Sequence, residues 1–176
     1  MKHWLFLMII IILGSCSSIK QASKHTGLVE LNPNNIDLLN GKYQENPVRP
    51  DTTRITTLSW EIFDHGYNVD KSKGYIEFKV INCNNILVSI HDSDSIVKSR
   101  VFQGEIKDGY FQFNRKYLII PMVFVNLFRN RIIRVGILDN NNLITDYAQL
   151  SFGTLYVIIP FLNKNNQFDV EFKKRN

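Results

Sequence analysis

The residue whose chemistry is easiest to assign is Cys16. It follows Gly14 and Ser15, at the end of an apolar stretch from Trp4 to Leu13 that itself follows Met1-Lys2-His3. A charged start, an apolar middle and a small-residue end are the layout of a secretory signal peptide and its cleavage site. Ten apolar residues in a helix reach only ~15 Å, half of a ~30 Å hydrocarbon core, so this stretch is a signal rather than a permanent membrane span. The other reactive side chains are scattered. His65 lies in Asp64-His65-Gly66, and His91 opens His91-Asp92-Ser93-Asp94. That second group gathers oxygen ligands but lacks the length and spacing of a calcium loop, and a polar turn accounts for it equally well. Cys83, between Asn82 and Asn84-Asn85 at the end of an apolar run, reads as a buried thiol, with no neighbouring His or basic group to lower its pKa. Arg129, Arg131 and Arg134 form the densest basic group of the body. They read as a solvated face, or as a seat for an anionic head group or glycan.

Leu13-Gly14-Ser15-Cys16 resembles the lipobox of bacterial lipoprotein precursors. The resemblance implies cleavage before Cys16 and acylation of its thiol. Each buried CH2 of an acyl chain contributes ~0.8 kcal/mol, so several chains anchor the protein firmly to a membrane without spanning it. In lipoproteins of this kind an aspartate after the cysteine often marks inner-membrane retention, and here Ser17 follows. With no acid between Ser17 and Lys24, the expected address is the outer membrane, facing the periplasm.

Removing residues 1–15 takes away Lys2 and no acid, which lowers the formal charge from +5 to +4. That surplus suits loose attraction to an anionic membrane surface and falls short of a nucleic-acid footprint. With Cys16 acylated, Cys83 has no partner for a disulfide within the chain. No nucleophile elbow, zinc-binding His pair, phosphate-cradling glycine loop or Cys-x-x-Cys pair occurs, so the sequence names no catalytic residue, no metal site and no cofactor.

Residues 16–35 carry Ser, Lys and Asn without a sustained apolar period and read as a lipidated cysteine plus a flexible tether. A single β domain is expected over 36–176. In Tyr75 to Val80, Ile76, Phe78 and Val80 share one face and Glu77 and Lys79 the other, the period of a half-buried strand. Further β-branched or aromatic runs are Ile86 to His91, Ile96 to Lys107, Tyr110 to Ile120, Arg131 to Leu138, Leu143 to Phe152, Thr154 to Phe161 and Phe168 to Lys173. Asp108-Gly109 is the strongest hairpin signal, because both central positions of a type I′ turn need positive φ. Asn84-Asn85, Asp139 to Asn142 and Asn163 to Asn166 are looser turn signals. Thr57 to Phe63 fits either a strand or one short helix, and a helix is preferred. Short connections require antiparallel neighbours. The expected fold is a mainly β, antiparallel meander of about eight or more strands, as a closed barrel or a β-sandwich.

Asn40-Gly41-Lys42-Tyr43 and Thr145-Asp146-Tyr147 are similar to motifs of lipocalins, which carry Gly-x-Trp at their first strand and Thr-Asp-Tyr late in the barrel. Tyr43 stands where those proteins have tryptophan, and only the tail Lys173-Lys174-Arg175 offers a counterpart to their arginine motif. The resemblance implies a lipocalin-like barrel with a cavity for a small apolar ligand. Of Tyr110 to Phe113, one alternate pair should line the interior and the other face solvent. The expected role is a non-catalytic envelope lipoprotein that holds an apolar ligand, or one that assembles with another envelope protein. Cys16→Ala should abolish incorporation of radiolabelled fatty acid into the protein, and label retained in that variant would refute lipidation at Cys16.

Overall fold

In a computed structural model the described residues are 25–49, 57–63, 67, 74–93, 95–119, 125–155 and 159–175. Among these residues nine strands form one antiparallel sheet: β1 (Leu28–Val29), β2 (Gly41–Pro47), β3 (Tyr75–Asn82), β4 (Asn85–Asp92), β5 (Ser95–Lys107), β6 (Tyr110–Ile119), β7 (Val125–Leu138), β8 (Leu143–Leu155) and β9 (Ile159–Arg175). From β2 to β9 each strand pairs with the next, and β9 returns to β2, so eight strands make a ring. The signal segment, Cys16, His65 and Asp94 lie outside the described residues.

The ring is uneven. The β7–β8 ladder runs from Val125↔Leu155 to Ile137↔Leu143, whereas β2 meets β9 at Lys42↔Arg175, Tyr43↔Lys174 and Pro47↔Phe172, with a register shift between. β5 changes partner along its length. Ser95 to Gln103 pair with β4, and only Gly104 to Lys107 pair with β6. Gly104 is the crossing point, where a Cβ would lie 2.4 Å from the Gln112 carbonyl oxygen and 2.7 Å from the Phe111 ring. Only a residue without a side chain lets the two backbones approach so closely.

Alternation decides which side chains enter the ring. Tyr43, Ile76, Phe78, Val88, Ile90, Phe102, Phe111, Phe113, Ile133, Val135, Tyr147 and Phe172 are buried in one core cluster. Fully burying one such side chain contributes ~1.5–3 kcal/mol. A 3-10 turn, Ile36–Leu39, buries Ile36 and Leu39 beneath the ring near the start of β2. A helix, α1 (Leu58–Phe63), adds Leu58, Ile62 and Phe63 to the same cluster.

Several expectations change. The body begins before Ile36, because Leu28–Val29 pairs with Ile137 and Leu138 at the end of β7 and Leu31 is buried. Tyr110 does not face solvent. Phe111 and Phe113 fill the interior as alternation requires, but Leu28 covers the outer face and encloses Tyr110 with Leu138 and Ile144. Asn163 to Asn166 is no turn. It pairs with Ala148 to Ser151 inside β9, where the long partner strand outweighs the weak local preference of asparagine. Thr154 to Phe161 is likewise not one strand, since Leu155 closes β8 and Ile159 opens β9. Asp108-Gly109 forms the expected turn, with φ of 52° and 82°. Cys83 is exposed rather than buried, because the tight β3–β4 connection turns it outward, where its thiol contacts the Asn84 side-chain oxygen at 3.0 Å.

Candidate functional site

A six-residue helix cannot hold itself together in water. Both ends of α1 are held by groups of the ring. At its start, Thr57 Oγ1 accepts a bond from the Trp60 amide at 3.4 Å, and the buried Glu45 carboxylate of β2 accepts from the Ser59 amide at 3.3 Å and from the Ser59 hydroxyl. At its end, the Arg115 guanidinium donates to the Ile62 carbonyl at 2.7 Å, and Arg131 donates to the Trp60 and Glu61 carbonyls at 3.3 Å each. Negative charge at the helix start and positive charge at its end both complement the helix dipole and stabilise the helix.

Arg115 and Arg131 are direct partners on β6 and β7. Like charges in that register repel. The shared helix carbonyls offset the repulsion. Arg131 is fully buried, and its guanidinium lies 4.7 Å from the Trp60 ring and 4.9 Å from the Tyr147 ring, within cation–π range of both. Gln149 completes the arrangement, accepting from Arg131 Nε at 3.0 Å and Nη2 at 2.7 Å. Glu61 is also fully buried, and its carboxylate accepts from the Thr145 hydroxyl.

The arginine group expected on a solvated face therefore divides. Arg131 is interior, and Arg134 is buried on the outer face. There Arg134 donates to Asp146 at 2.6 Å and lies 4.6 Å from the Tyr110 ring. The Asp169 amide also bonds Asp146, at 2.8 Å, across a bulge where Asp169 has φ of 62°. Burial pushes the Asp146 carboxyl above its ordinary value, against the pull of the Asp169 amide and Arg134. Thr145-Asp146-Tyr147 thus sends Thr145 and Tyr147 inward and Asp146 outward. The first-strand motif meets the tail instead: the Tyr43 hydroxyl donates to the Leu39 carbonyl at 3.1 Å, and Lys174 Nζ sits 5.9 Å from the Tyr43 ring. Burial raises the Tyr43 pKa, which keeps the phenol protonated as a donor.

His91 stacks on Tyr75 with ring centroids 4.5 Å apart, and its Nε2 lies 3.1 Å from Glu77. Lys42 and Arg175 also lie near the Tyr75 ring, at 4.9 and 5.4 Å. This cluster knits β2, β3, β4 and β9 together on the outside of the ring. Sequence reasoning missed Trp60, Glu61 and Glu45. Their partners, Arg131 for Trp60, Thr145 for Glu61 and Ser59 for Glu45, all lie on other elements, and no local pattern signals such pairing.

The most accessible feature is the first half of β5. Every residue from Ser95 to Val101 is exposed, including Ile96, Val97 and Val101. Within the described residues, β6 from Asn114 to Ile119 pairs with β7 but not with β5. Two strand edges therefore part at this seam, and Phe102, Phe113 and Phe63 lie against one another beside it, with ring centroids 4.7 and 5.5 Å apart.

The fold and interior together define an eight-stranded antiparallel ring that grips a short internal helix and parts at one seam. No family model, no curated protein and no solved structure matches this chain.

Two outcomes follow from the interior. Arg131→Met keeps much of the volume but leaves the Trp60 and Glu61 carbonyls and Gln149 without their donor. At ~1–3 kcal/mol for each buried group left unsatisfied, it should lower unfolding free energy by about 3 kcal/mol or more in urea titration. Glu45 is raised above its ordinary 4.5 by burial, against the bonds from Ser59 and Thr57. Its folded form thus binds the proton more tightly than the unfolded chain, so its contribution to stability falls as pH rises from 4.5 through the raised value. Glu45→Gln should remove that slope, and urea midpoints of both proteins between pH 4.5 and 8 should converge at the acid end.

Proposed function

We propose that this chain is a lipid-anchored protein of the cell envelope that acts by binding a partner protein and not by catalysis. Cys16 and the signal layout before it supply the address and the attachment. The edge of β5 that is unpaired among the described residues supplies the contact and is the observation that carries the reading. An unpaired strand edge offers a row of backbone donors and acceptors, and natural sheets usually protect such edges by covering or pairing them. Ser95 to Val101 is left exposed, with Lys98 and Arg100 as its only charged residues. An extended segment of a partner fits there as an added strand.

A second reading has its own support. The Phe63, Phe102 and Phe113 rings beside the same seam suit a small apolar ligand, in keeping with the lipocalin likeness of Gly41, Tyr43 and Thr145-Asp146-Tyr147. Much of the interior is already taken by α1 and its arginines, which favours the partner reading. Both readings place the protein on the outer membrane facing the periplasm.

A photo-crosslinking residue placed at Val97 or Val101 in intact cells should give discrete adducts with another protein, while the same residue at the exposed Lys79 of β3 gives none. Recovery of monomer alone at all three positions would end the partner reading. Solvent extraction of the purified protein that releases a stoichiometric lipid would favour the carrier instead.

A further inference from the structure

The ends of β6, β7, β8 and β9 opposite β1 differ from the rest of the surface in two independent ways. The first is apolar exposure in register. Phe128 on β7 pairs with Phe152 on β8, and Phe152 with Leu162 on β9. All three are outward and exposed, at 36%, 48% and 61%, so they form a row across three strands.

The second is charge. Between Asp108 and Asp139, and again between Asp146 and Asp169, the chain carries no acidic residue at all. These two stretches supply all of β6 and β7 and the parts of β8 and β9 beside the apolar row. Behind the apolar row stand the exposed lysines Lys116 and Lys164, in register with Asn130 and Leu150. Aromatic and aliphatic side chains at a tip, with lysines one row behind and no acid, match the profile of an anionic bilayer, whose apolar interior lies beneath a negative surface. A partner protein would not demand the complete loss of acids over both stretches.

We propose that this end of the ring docks on an anionic lipid surface, with Phe128, Phe152 and Leu162 entering the interface and Lys116 and Lys164 meeting the head groups. The contact is made by side chains of the ring and needs no acyl chain. Leu138, beside β1, stands ten residues along β7 from Phe128, or ~33 Å at 3.3 Å per residue. The proposal therefore stands whether or not Cys16 is lipidated.

The test uses the full chain purified in mild detergent, with Cys16→Ser and Cys83→Ser removing both native thiols and any acyl anchor and Leu162→Cys carrying an environment-sensitive fluorophore, mixed with vesicles of phosphatidylcholine alone or with phosphatidylglycerol added. Phosphatidylglycerol should shift the emission to the blue and protect the label from iodide, whereas a label at Lys107→Cys, at the other end of the ring, should stay exposed. Adding Lys116→Glu and Lys164→Glu should weaken the response about thirtyfold or more, since each basic residue lost near such a surface contributes about fivefold. Two results would overturn the proposal. One is a Leu162 label that stays water-exposed with phosphatidylglycerol present. The other is a shift that follows protein concentration and ignores lipid, which would assign the row to contact between copies of this chain.

Discussion

The structure turns on one buried cation. Arg131 holds carbonyls at the end of α1, packs against the rings of Trp60 and Tyr147, and bonds Gln149 through two of its nitrogens. A guanidinium in a protein interior is costly unless its donors are met and its charge is answered. Here helix carbonyls, an amide oxygen and two π faces share that task, and Arg115 adds a second grip on the same helix end. The result fixes where α1 sits and which residues of β7 and β8 must face inward. A register slip of one residue on β7 would carry Arg131 out of the ring and bring Ile132 in.

The interior is thus organised by polarity as well as by packing. Leu39, Tyr43, Phe78 and Phe172 make an apolar floor near the start of β2, where the 3-10 turn covers the ring. Glu45, Glu61, Arg115 and Arg131 make a charged layer around α1. The outside repeats the device on a smaller scale, with Tyr110, Arg134 and Asp146 buried at its surface. Charges placed this way favour one arrangement of strands over alternatives that would leave them unpaired.

Local pattern was a good guide to strands and a poor guide to fates. Ile76, Phe78 and Val80 enter the core as their alternation requires, and Asp108-Gly109 turns as its dipeptide requires, because each depends on its neighbours alone. Arg131, Arg134, Tyr110 and Asn163 to Asn166 were misread for a common physical reason. What decides each one is a partner distant in sequence: α1 for Arg131, Asp146 for Arg134, Leu28 for Tyr110 and β8 for the asparagines. The β5 seam was invisible for the same reason, since Gly104 looks like any glycine until the Gln112 carbonyl is beside it. Cys16 remains the residue whose chemistry is read from sequence context alone.

The short β2–β9 ladder has a kinetic meaning. Every other join in the ring links strands that follow one another in sequence, so each can form soon after its second strand is available. Pairing Lys42 with Arg175 and Tyr43 with Lys174 has to wait until nearly the whole chain is present. Until then the ring is an open sheet with β2 and β9 as bare edges, exposed to the wrong partner. The last strand to be made is thus the one that seals the ring, and a chain cut short within β9 would stay an open sheet.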